Sequence, residues 1–342
     1  MLKKILIALL LLALVASFIG YQKYQEIFAP NVPASLADPY LHIPTGTSYE
    51  ELLQLLQKKN IVLDISSFGW LAEQMSYNKP TVRPGRYKIE PAWSNRALIS
   101  HLRGGKQSPV KLVLNHGRLL SDVAGKAAQF IEADSMEIIT LLSDPKTIEA
   151  QGFQPETFMS MFIPNTYEFF WNTSAEQFVA RMKKEHNSYW SKNKREEKAA
   201  TLGLSPAEVY TLASIVERES NLKSERPIIA GVYWNRIQRG MLLQADPTVV
   251  FATKEFGLRR VLKRHLEIDS PYNTYKYPGL PPGPISMASI SSIDAVLNRA
   301  KHDYIFFCAK PDSNGGHAFA KNLAGHNANA RRYHRWLNQR GI

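Results

Sequence analysis

The sequence predicts an α+β protein carried on an N-terminal transmembrane helix, with a small α/β subdomain followed by a larger mixed α+β domain whose loops line a groove. Three observations predict it. An apolar, charge-free run from Ile5 to Gly20 follows directly on Met1-Leu2-Lys3-Lys4. Short strand-like stretches then alternate with helical stripes as far as Phe130. Beyond residue 200 a strongly capped helix gives way to prolines too dense for an ordinary sheet. At 342 residues the chain is too long for one small core. The expected boundaries are an anchor over 1–22, a linker over 23–38, the small subdomain over 39–106 and the larger domain over 107–342.

The apolar run lies at the short end for a bilayer span. Tyr21 and Tyr24 supply an interfacial aromatic pair, and Lys23 ends the run. Lys3 and Lys4 are expected to stay cytoplasmic, which puts everything after Tyr21 outside. A cleaved signal peptide is the alternative, with Val15-Ala16-Ser17 as its site. Phe18 and Ile19 carry the apolar run past that point, so an uncleaved anchor is expected.

Composition excludes several classes. Hydrophobic residues at 44% and aromatics at 11% argue for packed cores over disorder. A net charge of +12 attracts polyanions, but the cations are scattered and no nucleic-acid signature accompanies them. The densest cluster, Lys192 to Lys198, includes Glu196 and Glu197 and reads as a solvated helix face. The single cysteine, Cys308, lies in the apolar run Tyr304 to Cys308 and reads as a buried strand residue. His317, His326 and His334 do not have zinc-ligand spacing, so neither metal nor cofactor is expected.

From residue 39 the elements come in order. Leu41 to Pro44 suggests a short strand. Ser48 and Glu51 form a capping box for a helix with Leu52, Leu53, Leu55 and Leu56 at helical spacing. Phe68, Leu71 and Met75 mark a second helix. Pro84 to Ile89 is a turn feeding a strand. Ala97, Leu98, Ile99 and Leu102 form a further stripe, closed by Gly104-Gly105. This strand–helix–helix–strand order resembles a LysM-like module, a resemblance that implies binding of glycan chains rich in N-acetylglucosamine; a purely structural spacer is the alternative. A strand from Val110 to Leu114 and a helix from Leu120 to Phe130 follow.

Ser205-Pro206-Ala207-Glu208 starts the key helix, with Ser205 as N-cap, Pro206 at the first helical position and Glu208 completing a capping box. Val209, Leu212, Ala213 and Val216 form its apolar stripe, and Glu217 and Glu219 fall on the two borders. A partly desolvated carboxyl has a raised pKa, which a glycosidic general acid needs. Spacing alone does not choose between the two. Both as rim carboxylates paired with Arg218, Lys223 or Arg226 is the alternative.

The matching text then becomes long and specific: LASIVERES, VYWNRIQRGMLLQADPTVVFA, SPYNTYKYPGLPPGPIS and GGHAFAKNLAGHN, preceded by FIPNTYEFFW. The chain resembles the YceG family of endolytic murein transglycosylases over nearly its whole length. The resemblance implies that Glu217, in the Ile-Val-Glu step, is the catalytic acid/base and that Glu219 supports it. It further implies substrate contacts from Asn235, Gln244, Asp246, Thr248, Tyr272, Asn273, Thr274, His317 and Asn327. Two departures stand out. The family's Phe-Pro-Asp-Thr-Tyr is Ile163-Pro164-Asn165-Thr166-Tyr167, and the groove helix carries the bulky Tyr233-Trp234.

The reaction implied is cleavage of the β-1,4 bond between N-acetylmuramic acid (MurNAc) and N-acetylglucosamine (GlcNAc), with the C6 hydroxyl of MurNAc closing onto its own C1. A tethered nucleophile makes a second catalytic carboxylate unnecessary. Expected partners are glycan strands, the membrane and the peptidoglycan synthases, with the protein in the bacterial cytoplasmic membrane and its catalytic part outside. Two other readings are a non-catalytic glycan-binding scaffold and a conventional hydrolase.

Overall fold

The computed structural model describes residues 1–258, 260–312 and 315–340. It divides into two compact units, one formed by Met1–Lys111 with Phe130–Ala133 and Glu168–Ser174, the other by Leu112–Gln129, Asp134–Tyr167 and Ala175–Ile342.

The first unit opens with α1 (Leu2–Phe28), 27 residues with none of them buried, long and apolar enough to cross a membrane. At 1.5 Å per residue it is about 40 Å long. The expected linker from residue 23 is therefore helical as far as Phe28. Lys23 bonds Glu26 (2.6 Å) and lies over the Trp70 ring, while Ile27 packs on the core. The unit continues with β1 (Tyr40–Ile43), α2 (Tyr49–Lys58), α3 (Ile65–Gln74), β2 (Gly85–Lys88) and α4 (Asn95–Gly104). Strands β1 and β2 pair antiparallel, Tyr40 opposite Lys88 and Ile43 opposite Gly85. The Ser48–Glu51 capping box forms, and Gly105 ends α4 in the left-handed region at φ 67°. Leu52, Leu56, Phe68, Leu71, Tyr87, Leu98 and Leu102 make the core. Inside it, Asn95 Nδ2 donates to Glu26 O (2.9 Å) and Ser67 Oγ (3.0 Å), and Asn95 Oδ1 accepts from Asn31 Nδ2 (2.6 Å).

Strands β3 (Val110–Leu114) and β4 (Asn165–Phe169) pair in a second two-stranded sheet. The second unit holds α5 (Leu120–Ala127), α6 (Ser135–Ser143), α7 (Pro145–Ala150), α8 (Ala175–Ser191), α9 (Arg195–Thr201), α10 (Pro206–Glu219), α11 (Arg226–Gln238), α12 (Asp246–Thr253), α13 (Lys263–Leu266) and α14 (Ile290–Leu297). It ends with the antiparallel pair β5 (Phe306–Ala309) and β6 (His317–Ala320), then α15 (Leu323–Asn338). Cys308 is only half-buried on β5.

Helix α10 is the centre of this unit. The stripe expected from the sequence is exceeded: every residue from Val209 to Val216 is buried, because α9, α11, α12 and α14 pack around the helix. Glu217 and Glu219 therefore sit where α10 leaves the core at its C-terminal end. The proline-rich segment before α14 is latched along one face of α10. Ala288 N donates to Tyr210 Oη (3.1 Å), Ile285 N to Ser214 Oγ (3.0 Å) and Ser289 N to Glu217 Oε2 (3.2 Å). Positions 210, 214 and 217 are spaced to share a helical face.

Candidate active site

The two glutamates of α10, expected on the two borders of one apolar stripe, have opposite environments. Glu217 takes a bidentate pair from Arg226, Nη1 to Oε2 and Nη2 to Oε1, each 3.0 Å. Oε2 also accepts from Ser292 Oγ (2.6 Å) and from a short hydrogen bond of Ser289 Oγ. Arg226 is itself buried and donates further to Ser289 Oγ, Ser291 Oγ and Ser220 O. Burial pushes the Glu217 carboxyl up, but the hydroxyl donors of Ser289 and Ser292 and the Arg226 charge outweigh it, and the net pKa lies below the ordinary value. This corrects the raised pKa expected from the sequence at this position.

Glu219 has one hydrogen bond among the described residues: Tyr233 Oη donates to Oε1 at 2.5 Å. Burial pushes its pKa up to about 7; the Tyr233 hydroxyl and Arg236 pull it down only in part, and the Asp246 charge pushes it further up. The C-terminal end of α10 also disfavours negative charge. Glu219 borders two cavities. One, about 350 Å³, is lined by Arg118, Arg218, Asp246, Phe251, Phe256 and Ile285 among others. The other, about 390 Å³, is lined by Tyr233, Arg236, Gln244, Asp246, Tyr275 and His326 among others. Glu219 and Asp246 line both. Glu217 borders a third cavity of about 630 Å³ with Asn115, His116, Asp122, Asn221 and Ser286.

The remaining expected contacts separate into two groups. Asp246 and Gln244 are exposed at the cavities, Asp246 Oδ1 accepting from Tyr275 Oη (2.6 Å) and Gln244 Oε1 from Arg236 Nη1 (3.2 Å). The others hold loops together. Asn235 Nδ2 donates to the carbonyls of His302 (2.7 Å) and Tyr304 (2.9 Å). Asn273, fully buried, donates to those of Leu266 and Ile268, both 2.9 Å. Thr248 and Thr274 are buried and bond each other at 2.8 Å, and Ala245 N donates to Thr274. Thr248, Asn273 and Thr274 are buried with protein partners, and Asn235 is half-buried with its amide nitrogen engaged, so all four side chains tie loops together. Tyr272 packs its ring on Phe251 (4.7 Å). His317 bonds Glu225 through Nδ1 (2.8 Å), and Asn327 is exposed on α15; neither lines the cavities at Glu219.

The sequence did not single out Tyr233, Tyr275 or Arg236 as parts of the site, whereas Arg226 is the carboxylate partner it offered and pairs with Glu217. Tyr233 was noticed only for its bulk. A tyrosine one turn from Arg236 on a helix of low polarity was the available signal. Among the described residues, no group of three or more His, Cys, Asp or Glu side chains is placed to hold a metal ion.

An endolytic murein transglycosylase of Bacillus subtilis strain 168 is 32% identical over 309 residues, spanning 86% of this chain and 84% of its own. One of Streptococcus pneumoniae strain D39 is 27% identical over 94% of this chain and 63% of its own length. The crystal structure of a yceG-like protein of Listeria monocytogenes superposes with a TM-score of 0.58 at 28% identity, covering 84% of this chain and 97% of that one. The model of the YceG-like family matches residues 41–332, and the chain belongs to that family.

Proposed function

We propose that the chain is a peptidoglycan lytic transglycosylase that cuts within glycan strands, with Glu219 as its acid and base. The names of the relatives support the lyase activity on peptidoglycan. The observation that carries the choice of residue is a carboxyl with a pKa of about 7 on the shared wall of two cavities. Near neutral pH such a group populates both forms. The acid form gives its proton to the oxygen between MurNAc C1 and the GlcNAc leaving group, and that C–O bond breaks. The carboxylate then takes the proton of the MurNAc C6 hydroxyl as that oxygen bonds C1. The product is a 1,6-anhydro end, and Glu219 finishes protonated as it began. Tyr233 fixes Oε1, leaving Oε2 as the oxygen without a protein partner among the described residues. Asp246, on the same two cavities, offers negative charge to the oxocarbenium-like state.

Glu217 suits this role less well. At neutral pH it is an anion with both oxygens engaged, so it has no proton to give. Its partners fit a structural clamp that fixes the end of α10 against the segment at Ser289.

The length and apolarity of α1, with Lys3 and Lys4 in its first turn, support a single-pass anchor in the bacterial cytoplasmic membrane with the rest outside. The β1–α2–α3–β2 order supports a LysM-like glycan-binding role for the first unit. An enzyme so anchored would act on strands near the membrane-bound synthases and terminate them as they grow.

The test is digestion of purified sacculi by the detergent-solubilised full chain, followed by mass analysis. Fragments one water lighter than hydrolysis products, lost in Glu219→Gln and retained in Glu217→Gln, support the reading. Reducing ends would make the protein a hydrolase. No cleavage with glycan binding intact would make it a scaffold.

A further inference from the structure

We propose that Arg118 and Arg218 form an anion-recognition subsite that reads a carboxylate of the stem peptide carried by MurNAc, so that the substrate is peptide-bearing glycan and not denuded glycan. The inference rests on the reading of the two cavities at Glu219 as the place of glycosidic cleavage.

Both arginines line the cavity shared with Glu219 and also the third cavity beside it, so they form the partition between the two. Arg118 is held in place before any ligand arrives. Its Nη1 donates to Phe256 O (3.2 Å) and its guanidinium lies 4.7 Å from the centre of the Phe256 ring. Its loop is pinned as well. Met287 N donates to Gly117 O (2.8 Å), and Asp122 Oδ2 accepts from the backbone N–H of Arg118 (2.7 Å) and Leu119 (3.0 Å). A Cβ at Gly117 would stand 3.1 Å from Asp122 Cβ, so the loop fits tightly on that side chain. Arg218 is exposed, and among the described residues no hydrogen bond or ion pair holds its side chain.

The Arg218 charge repels that of Arg118, and among the described residues neither side chain forms an ion pair with a carboxylate. Burial and the Arg218 charge both lower the Arg118 pKa, and the Asp122 charge offsets them in part. The other side of the partition suits a peptide. Asn115, Gln129 and Asn221 offer amide donors and acceptors around a cavity of about 630 Å³, nearly twice the volume beside Glu219. A bare disaccharide repeat carries no carboxylate apart from the lactyl group, whereas a stem peptide carries several on a chain of amides. Guanidinium is the side chain best matched to carboxylate.

The experiment compares peptide-bearing strands with the same strands stripped by an amidase, using the full chain. The parent protein is expected to cut peptide-bearing strands about tenfold faster at low substrate, the worth of a charge-assisted hydrogen bond. That preference should shrink with added salt. In Arg218→Gln, whose exposed side chain leaves the fold intact, the ratio of the two rates falls toward one; Arg118→Gln does the same. Equal rates on both strands in the parent, or an unchanged ratio in both variants, overturns the subsite. The same comparison by binding, in a Glu219→Gln background, separates the two ideas. Arginine-dependent preference in binding without any cleavage by the parent sinks the glycosidic reading and keeps the subsite. Cleavage by the parent without preference does the reverse.

Discussion

Glu217→Gln separates structure from chemistry at the end of α10. The substitution keeps an acceptor for Ser289 and Ser292 but removes the charge facing Arg226. That guanidinium has 5% side-chain exposure, so it is left as an uncompensated buried cation. Breaking such a pair in full burial costs about 3–5 kcal/mol. Glu217 keeps 24% side-chain exposure, and solvent screens part of the interaction. A loss of about 2–3 kcal/mol is therefore expected. For a unit of this size each kcal/mol moves the midpoint by about 2–4 °C, so Tm should fall by about 5–10 °C. The assay is thermal unfolding of the solubilised chain by near-UV circular dichroism, with cleavage measured well below the lowered midpoint. The pH dependence gives a second check. A carboxyl whose folded pKa is depressed below its ordinary 4.5 stabilises above that value and loses the contribution as pH falls through the folded pKa. The gap between parent and variant should thus be widest near neutrality and close in acid. An unchanged Tm with cleavage abolished would refute the reasoning and return the chemistry to Glu217.

Glu219→Gln should do the opposite. Its pKa, raised from 4.5 to about 7, means the folded parent loses stability as pH climbs from 4.5 through 7, so the variant should unfold about 1–3 kcal/mol later at pH 8 and be dead in cleavage; a lower Tm at pH 8 would contradict this. In the parent, log kcat/KM should fall above about pH 7 as the acid is lost, and a flat profile to pH 9 would remove Glu219 from the role. Tyr233→Phe removes a donor that favours the charged form, so the falling limb should move to higher pH; a shift to lower pH would reverse the assigned cause. Gly283→Ala places a Cβ 1.8 Å from Glu156 O and should cost at least about 1–3 kcal/mol in denaturant unfolding, whereas a neutral result would mean this loop gives way freely.

What the sequence disclosed was mostly local. The capping boxes at Ser48 and Ser205 formed as read because three-residue spacing is all they need. The strand at Val110–Leu114 came out with its expected ends. The stretch after Asp246 lies in the proline-rich part of the chain and forms the helix α12, whose start tolerates Asp and Pro at its first positions. Helices α6 to α8 went unread, although Asp134 and Glu137 spell a capping box. The α+β class held with its apolar first helix, and residues 1–111 fall in one compact unit together with 130–133 and 168–174. In the site, the sequence singled out two glutamates but not the difference between them. Periodicity treats positions 217 and 219 as mirror images on a stripe. Their chemistry is set by partners far along the chain, Ser289 and Ser292 for one and Tyr233 for the other. The same limit explains Thr248, Asn273 and Thr274. Polar residues in a proline-rich loop look identical on paper whether they face a sugar or each other.

The bond from Asn95 to the Glu26 carbonyl makes the end of the apolar helix a stitched member of the first unit and not a leash for it. A trim at residue 22 would keep that stitch; a trim at residue 29 would tear it out and strip Trp70 of the lysine lying over it. The first unit therefore rides on a mast, and its distance from the apolar segment is a fixed rung.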